Sequence, residues 1–184
     1  MQKKNKSQAP QTAEKVNHKV IARHSNVKPN ERLSISLIKH AVLTSLNIQG
    51  VDIPCEVSVL ITDERSIREI NKEFRGINKP TDVLSFPMQE LTPMQSLTLD
   101  GWEQIEPKTI DPETGLLPLG EIVISACATA KQALELGHSR DVETAYLIVH
   151  SVLHLLGYDH LDEGENKEKM RECENDIMRE LGFE

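Results

Sequence analysis

The chain has 184 residues, of which 38% are hydrophobic and only 3% aromatic, and its formal net charge is -8. That length suits one domain with its own core and is short for two. No apolar run approaches the roughly 20 residues that cross a bilayer, which argues against a membrane span, and the acidic balance argues against indiscriminate nucleic-acid binding.

The charge is unevenly spread. Residues 1–32 carry eight Lys or Arg against two acids, leaving 13 basic and 27 acidic residues in the remainder. Residues 1–30 are polar and without periodicity, so they predict a flexible basic tail ahead of a domain over 31–184. The tail has no apolar core of a secretory signal. Three scattered cysteines, Cys55, Cys127 and Cys173, with no C-x-x-C, fit free thiols buried as small hydrophobes in a reducing compartment. Both features point to the cytoplasm.

From Leu33 to Ile48, apolar residues at Leu33, Leu37, Ile38 and Ala41 form a helical stripe that ends near Gly50. Glu56–Thr62 is rich in β-branched residues and predicts a strand. Thr62 or Asp63 caps a second helix whose apolar positions are Ile67, Ile70 and Phe74. Arg75 closes that helix, where a cation suits the helix dipole. Pro80 and Pro87 bracket a short strand over Asp82–Phe86. Residues 88–118, with four prolines and no period, read as an inserted surface loop.

Leu119–Ser125 resumes as a strand, and Ala126–Leu136 follows as a helix stopped by Gly137. A long apolar helix starts at Arg140 or Asp141, with Ala145, Ile148, Val149, Val152 and Leu156 on its buried side. The last helix, about Glu165–Leu181, aligns Met170, Cys173, Ile177 and Leu181 on one face, and its acids read as a solvated one. The predicted fold is α+β: a single domain with a small mixed sheet packed against helices.

The long helix contains His150-Ser-Val-Leu-His154-Leu-Leu-Gly157-Tyr-Asp-His160. Residues four apart share a helix face, so the His150 and His154 imidazoles can converge on one point. Gly157 is placed to end the helix with positive φ and let His160 swing back. Three neutral imidazoles suit one zinc ion and leave a tetrahedral position open to water, as catalytic rather than structural sites do. His18, His24, His40 and His138 have no partner at ligand spacing and read as surface or capping residues. Asp159 is placed either to orient an imidazole or to cap the turn.

The spacing is that of the metzincin proteases, H-E-x-x-H-x-x-G-x-x-H, giving a zincin-like metal helix followed by a glycine turn. Ser151 stands where those enzymes carry their proton-accepting glutamate, and a hydroxyl cannot take that role near neutral pH. A metallopeptidase is therefore the weaker alternative.

The same run resembles the signature of the YbeY family, H-G-x-L-H-L-x-G-Y-D-H, with Ser151 in place of glycine. Two other segments share the likeness: Phe74-Arg75-Gly-Ile-Asn-Lys-Pro80-Thr81-Asp82-Val-Leu-Ser-Phe86-Pro87, and Leu119-Gly120-Glu121-Ile-Val-Ile-Ser125. It spans roughly Leu33 to the C-terminus. It implies a metal-dependent, single-strand-preferring endoribonuclease acting on the 3′ end of small-subunit ribosomal RNA and in ribosome quality control, with RNA and the ribosome as partners. It also implies an active role for Arg75, as a bidentate phosphate donor. Glu121, at the start of a strand, is the candidate proton acceptor in place of the missing glutamate. The tail is then either an RNA-contacting arm or a solvated extension. Another reading keeps the zinc but makes it structural, in a ribosome-assembly or RNA-binding factor without catalysis.

Overall fold

The computed structural model describes residues 16–91, 110–158 and 165–183. Its sheet has four strands in the order β1-β2-β4-β3, namely β1 (Lys19–His24), β2 (Cys55–Thr62), β3 (Val83–Pro87) and β4 (Leu117–Ser125). β1, β2 and β4 run parallel, and β3 pairs antiparallel with β4. Among the described residues, five α-helices, α1 (Ile35–Ile48), α2 (Glu64–Arg75), α3 (Ala126–Leu136), α4 (Arg140–Leu155) and α5 (Glu165–Glu180), and a single 3-10 turn at Pro29–Glu31 complete the fold. The mixed sheet with packed helices is the α+β architecture expected from the sequence. Among the described residues, no helix is long and apolar enough to cross a membrane.

The helix starts follow from side-chain capping. Ser34, Asp63, Ser125 and Ser139 each accept a hydrogen bond from a backbone N–H in the first turn of α1, α2, α3 and α4 respectively. α4 begins at Arg140, one of the two starts read from the sequence, and Ser139 just before it is the cap. Gly76 and Gly137, at φ 71° and 75°, end α2 and α3 in the left-handed region where a side chain is disfavoured.

The faces of the sheet divide the core. Val57, Val59 and Ile61 of β2 and Leu117, Leu119, Ile122 and Ile124 of β4 are buried in one cluster with Ile38 of α1, Ile148 and Val152 of α4, and Ile177 of α5. On the opposite face Leu84 and Val123 pack with Ile67 of α2. Strict alternation would put Leu119 and Ile122 on opposite faces. A register shift opposite Glu56/Val57 leaves Leu119 as the extra residue of a bulge, and both leucine and isoleucine face α4.

Two expectations change here. The stretch 1–30 is not a tail throughout: Lys19–His24 is strand β1, paired in parallel with Glu56–Ile61 at the edge of the sheet, while 1–15 lie outside the described residues. None of its six residues is fully buried, though Val20 and Ala22 pack against the core, and three apolar residues in a row between charged ones are too short a run to read as a strand. The inserted loop is also shorter at its C-terminal end than 88–118, because β4 takes in Leu117 and Pro118. Its centre, 92–109, lies outside the described residues. Its two flanks are tied together where Met88 N–H donates to Leu119 O (3.1 Å) and the Gln89 amide to Pro118 O (2.7 Å).

Candidate metal centre and cleft

α4 is the helix on which the site is built. Its core face is secured by Ile148, Val149 and Val152, all without solvent exposure, so the rotation of the helix is fixed and with it the direction of the histidines. At its C-terminus Tyr158 N–H donates to Leu153 O and Gly157 N–H to His154 O, both at 3.0 Å, with Gly157 at φ 86°. This is the paired closure of a Schellman turn. It folds the chain back until the Tyr158 carbonyl reaches the last histidine of the helix.

The His154 Nδ1–H donates to that carbonyl at 2.8 Å, and the His150 Nδ1–H donates to Glu174 Oε1 on α5 at 2.6 Å. Committing Nδ1 of each neutral ring as donor makes Nε2 the nitrogen with the lone pair. The two Nε2 atoms lie 3.1 Å apart, with the rings at 89° to each other. Two zinc–nitrogen bonds of about 2.0–2.1 Å at the tetrahedral angle require nitrogens about 3.3 Å apart. The pair fits two corners of such a site. His160, the expected third ligand, lies outside the described residues, and among those described no three His, Cys, Asp or Glu side chains converge as a metal set.

The histidines open onto a cleft of about 690 Å³ whose walls include Arg75, Asp82, Ser85 and Tyr146. Arg75 leaves the last turn of α2 and its Nη2 donates to Ser85 O at 3.5 Å, so the edge strand β3 guides the guanidinium toward the cleft. Asp82 Oδ1 accepts from Val83 N–H (2.8 Å) and the Thr81 hydroxyl (2.9 Å). Tyr146 lies one turn before His150 with its ring stacked at 6.0 Å. Burial, and next the charge of Glu174, raise its phenol pKa.

Glu121 does not share the cleft. It is exposed and stands opposite Phe86, whose ring meets Phe74 of α2 at 5.2 Å, on the far face of the sheet from the histidines. The cleft takes the alternate residues of β3, Val83, Ser85 and Pro87. Ser151 is fully buried, its hydroxyl turned to the core. Asp159 lies outside the described residues.

Other histidines and cysteines depart from expectation too. His18 is buried and its Nδ1 accepts the Cys55 N–H at 3.3 Å; desolvation lowers its pKa. His138 Nε2 contacts Oε2 of the buried Glu143 at 3.0 Å, and burial raises the pKa of that carboxyl. Cys55 is buried as expected and its thiol is pushed up to about 12 by desolvation, but Cys127 is exposed. Glu174 was the least expected, being only 6% exposed within a helix read as acidic and solvated. Its spacing held the signal, since it lies four residues after Met170 and three before Ile177, both on the buried stripe.

The chain as a whole is similar to proteins of one family. A family model described as Endoribonuclease YbeY matches residues 19–182. The endoribonuclease YbeY of Clostridium beijerinckii is 40% identical over 161 residues, which are 88% of this chain and 95% of that protein. The Thermoanaerobacter sp. endoribonuclease YbeY is 44% identical over 147 residues, covering 80% of this chain and 87% of its own. A solution structure of a Thermotoga maritima protein shares the fold, with a TM-score of 0.53 over 88% of both chains at 24% identity.

Proposed function

Since the chain belongs to the YbeY family of endoribonucleases, we propose that it is a zinc-dependent, single-strand-specific endoribonuclease that processes the 3′ end of small-subunit ribosomal RNA and serves ribosome quality control in the cytoplasm. The observation that supports the metal part is the 3.1 Å approach of two Nε2 atoms whose rings are each fixed through Nδ1. His150, His154 and His160 are the proposed ligands. When bound, one zinc ion supplies a Lewis acid for a phosphoryl oxygen or lowers the pKa of water.

The rest falls to the side chains of the cleft. Arg75 binds a phosphate of the strand through paired N–H donors and balances the charge that develops on it during cleavage. Tyr146 forms the wall beside His150, its ring stacked on the imidazole. With an acidic body, RNA affinity comes from this local site and from docking on a ribonucleoprotein rather than from a general positive field.

His154→Ala tests the reading. It is expected to abolish both zinc retention and cleavage of unstructured RNA, and full cleavage by the metal-free variant rules the mechanism out. Thermal melts with and without a chelator separate it from a zinc-stabilised assembly factor. A small shift in Tm with lost activity is expected here, whereas collapse of the fold speaks for structural zinc.

A further inference from the structure

Glu174 sits on α5, away from the histidine run in sequence, yet its carboxylate is the acceptor for His150. The side chain is 8% exposed and both oxygens are engaged, Oε1 by His150 Nδ1 at 2.6 Å and Oε2 by the Tyr146 hydroxyl at 3.4 Å. A carboxylate is costly to remove from water unless its lone pairs are met by donors. Here the donors come from residues one turn apart on α4, and one of them is a proposed ligand.

The same helix braces the second histidine. Cys173 Sγ lies 3.7 Å from the Tyr158 hydroxyl, which donates to Gln49 Oε1 at 2.7 Å. The carbonyl of that same tyrosine accepts from His154. Adjacent residues of α5 thus reach both rings, Glu174 directly and Cys173 through Tyr158.

We infer that Glu174 is the positioning residue of the metal centre: it locks His150 in the tautomer whose Nε2 faces His154, and thereby sets how tightly the site holds its metal. A carboxylate on the far nitrogen of a ligating imidazole fixes the ring's orientation and raises its basicity, and losing such a partner typically weakens metal binding about 10–100-fold. A purely structural Glu174 predicts changed stability with unchanged metal affinity. The inference rests on the metal reading above, and its readout is metal affinity, independent of RNA cleavage.

The test compares zinc affinity of the full chain, by competition with a colorimetric chelator, in wild type, Glu174→Ala, Glu174→Gln and Asp176→Ala. Asp176 is an exposed α5 residue paired with Arg179 and serves as the control. Circular dichroism and melts of the metal-free proteins check folding. The expected result is a loss of about 10–100-fold for Glu174→Ala and about tenfold for Glu174→Gln, which keeps the size and an acceptor oxygen but not the charge, with Asp176→Ala unchanged. Wild-type affinity in a folded Glu174→Ala or Glu174→Gln protein overturns the inference and leaves the metal reading standing. If Glu174→Ala fails to fold, Glu174→Gln decides alone. A wild-type chain that takes up no zinc overturns the metal reading and this inference together, whereas one that binds zinc without cutting RNA sinks only the nuclease reading.

Discussion

Gly120 and Leu155 meet where the bulge of β4 passes under the last turn of α4: a Cβ on Gly120 would stand 2.7 Å from Leu155 Cδ2 and 2.5 Å from the Phe86 carbonyl oxygen. At φ 155° the backbone conformation also disfavours a side chain. Leu155 directly follows His154, so the closeness of this contact sets the depth at which the histidine turn rests on the sheet. Gly120→Ala is expected to destabilise the fold by about 2–3 kcal/mol, since neither the strand carbonyl nor the buried leucine has room to retreat. Urea unfolding measures it, and a change under about 0.5 kcal/mol would show that the strands slide freely there.

Arg75 is exposed and its one described contact, to Ser85 O, is long. Its removal therefore costs little stability, about 0.3–1 kcal/mol through the helix dipole. Its expected effect is on cleavage: Arg75→Ala lowers kcat/KM for single-stranded RNA about 100-fold, and Arg75→Lys recovers only part because an ammonium cannot offer two parallel donors. Steady-state cleavage alongside melts checks both halves. An unchanged rate would remove Arg75 from the site.

Local signals made most of the helices legible. Ile67 and Ile70 on α2, the glycine stop at Gly137 and the apolar face of α4 are written at helical spacing, and the structure keeps them. Nonlocal features were not. β1 exists because its backbone pairs with β2, and nothing in Lys-Val-Ile-Ala-Arg-His states that a partner strand runs 37 residues further on, where Lys19 meets Glu56. The bulge at Leu119 depends in the same way on three strands and a helix meeting. In the site, His150 and His154 were readable because one helical turn fixes their approach. Glu174 was not, because an acid on a buried stripe declares its purpose only once the partner helix is known. Position in a strand motif does not say which face of the sheet looks into the cleft, and Glu121 falls on the other face.

Ser151 follows the first histidine of the pair but is turned into the core, and its buried hydroxyl finds no hydrogen-bond partner among the described residues. An unsatisfied buried hydroxyl opposes folding, so Ser151→Ala is expected to leave stability unchanged or raise it by up to about 1 kcal/mol. Zinc affinity and cleavage are expected to stay as in wild type. Denaturant midpoints and the chelator competition test this together. Loss of cleavage with intact zinc binding would assign the hydroxyl a chemical part that its burial argues against.

His18 gives the fold a pH dependence whose sign follows from its burial. Desolvation lowers its pKa in the folded protein, and its Nδ1 accepts the Cys55 N–H, an arrangement that needs the neutral ring. The unfolded chain takes up this proton near pH 6.5, the folded one only at lower pH. Between those values the unfolded state binds more protons, so the stability His18 contributes is complete above about pH 6.5 and is lost as pH falls toward the lowered folded value. The urea midpoint of wild type is expected to fall from pH 7.5 to 5.5, and His18→Gln is expected to show a smaller fall, having no ring to protonate. Equal falls in the two proteins would mean that other groups govern acid sensitivity and that His18 titrates alike in both states.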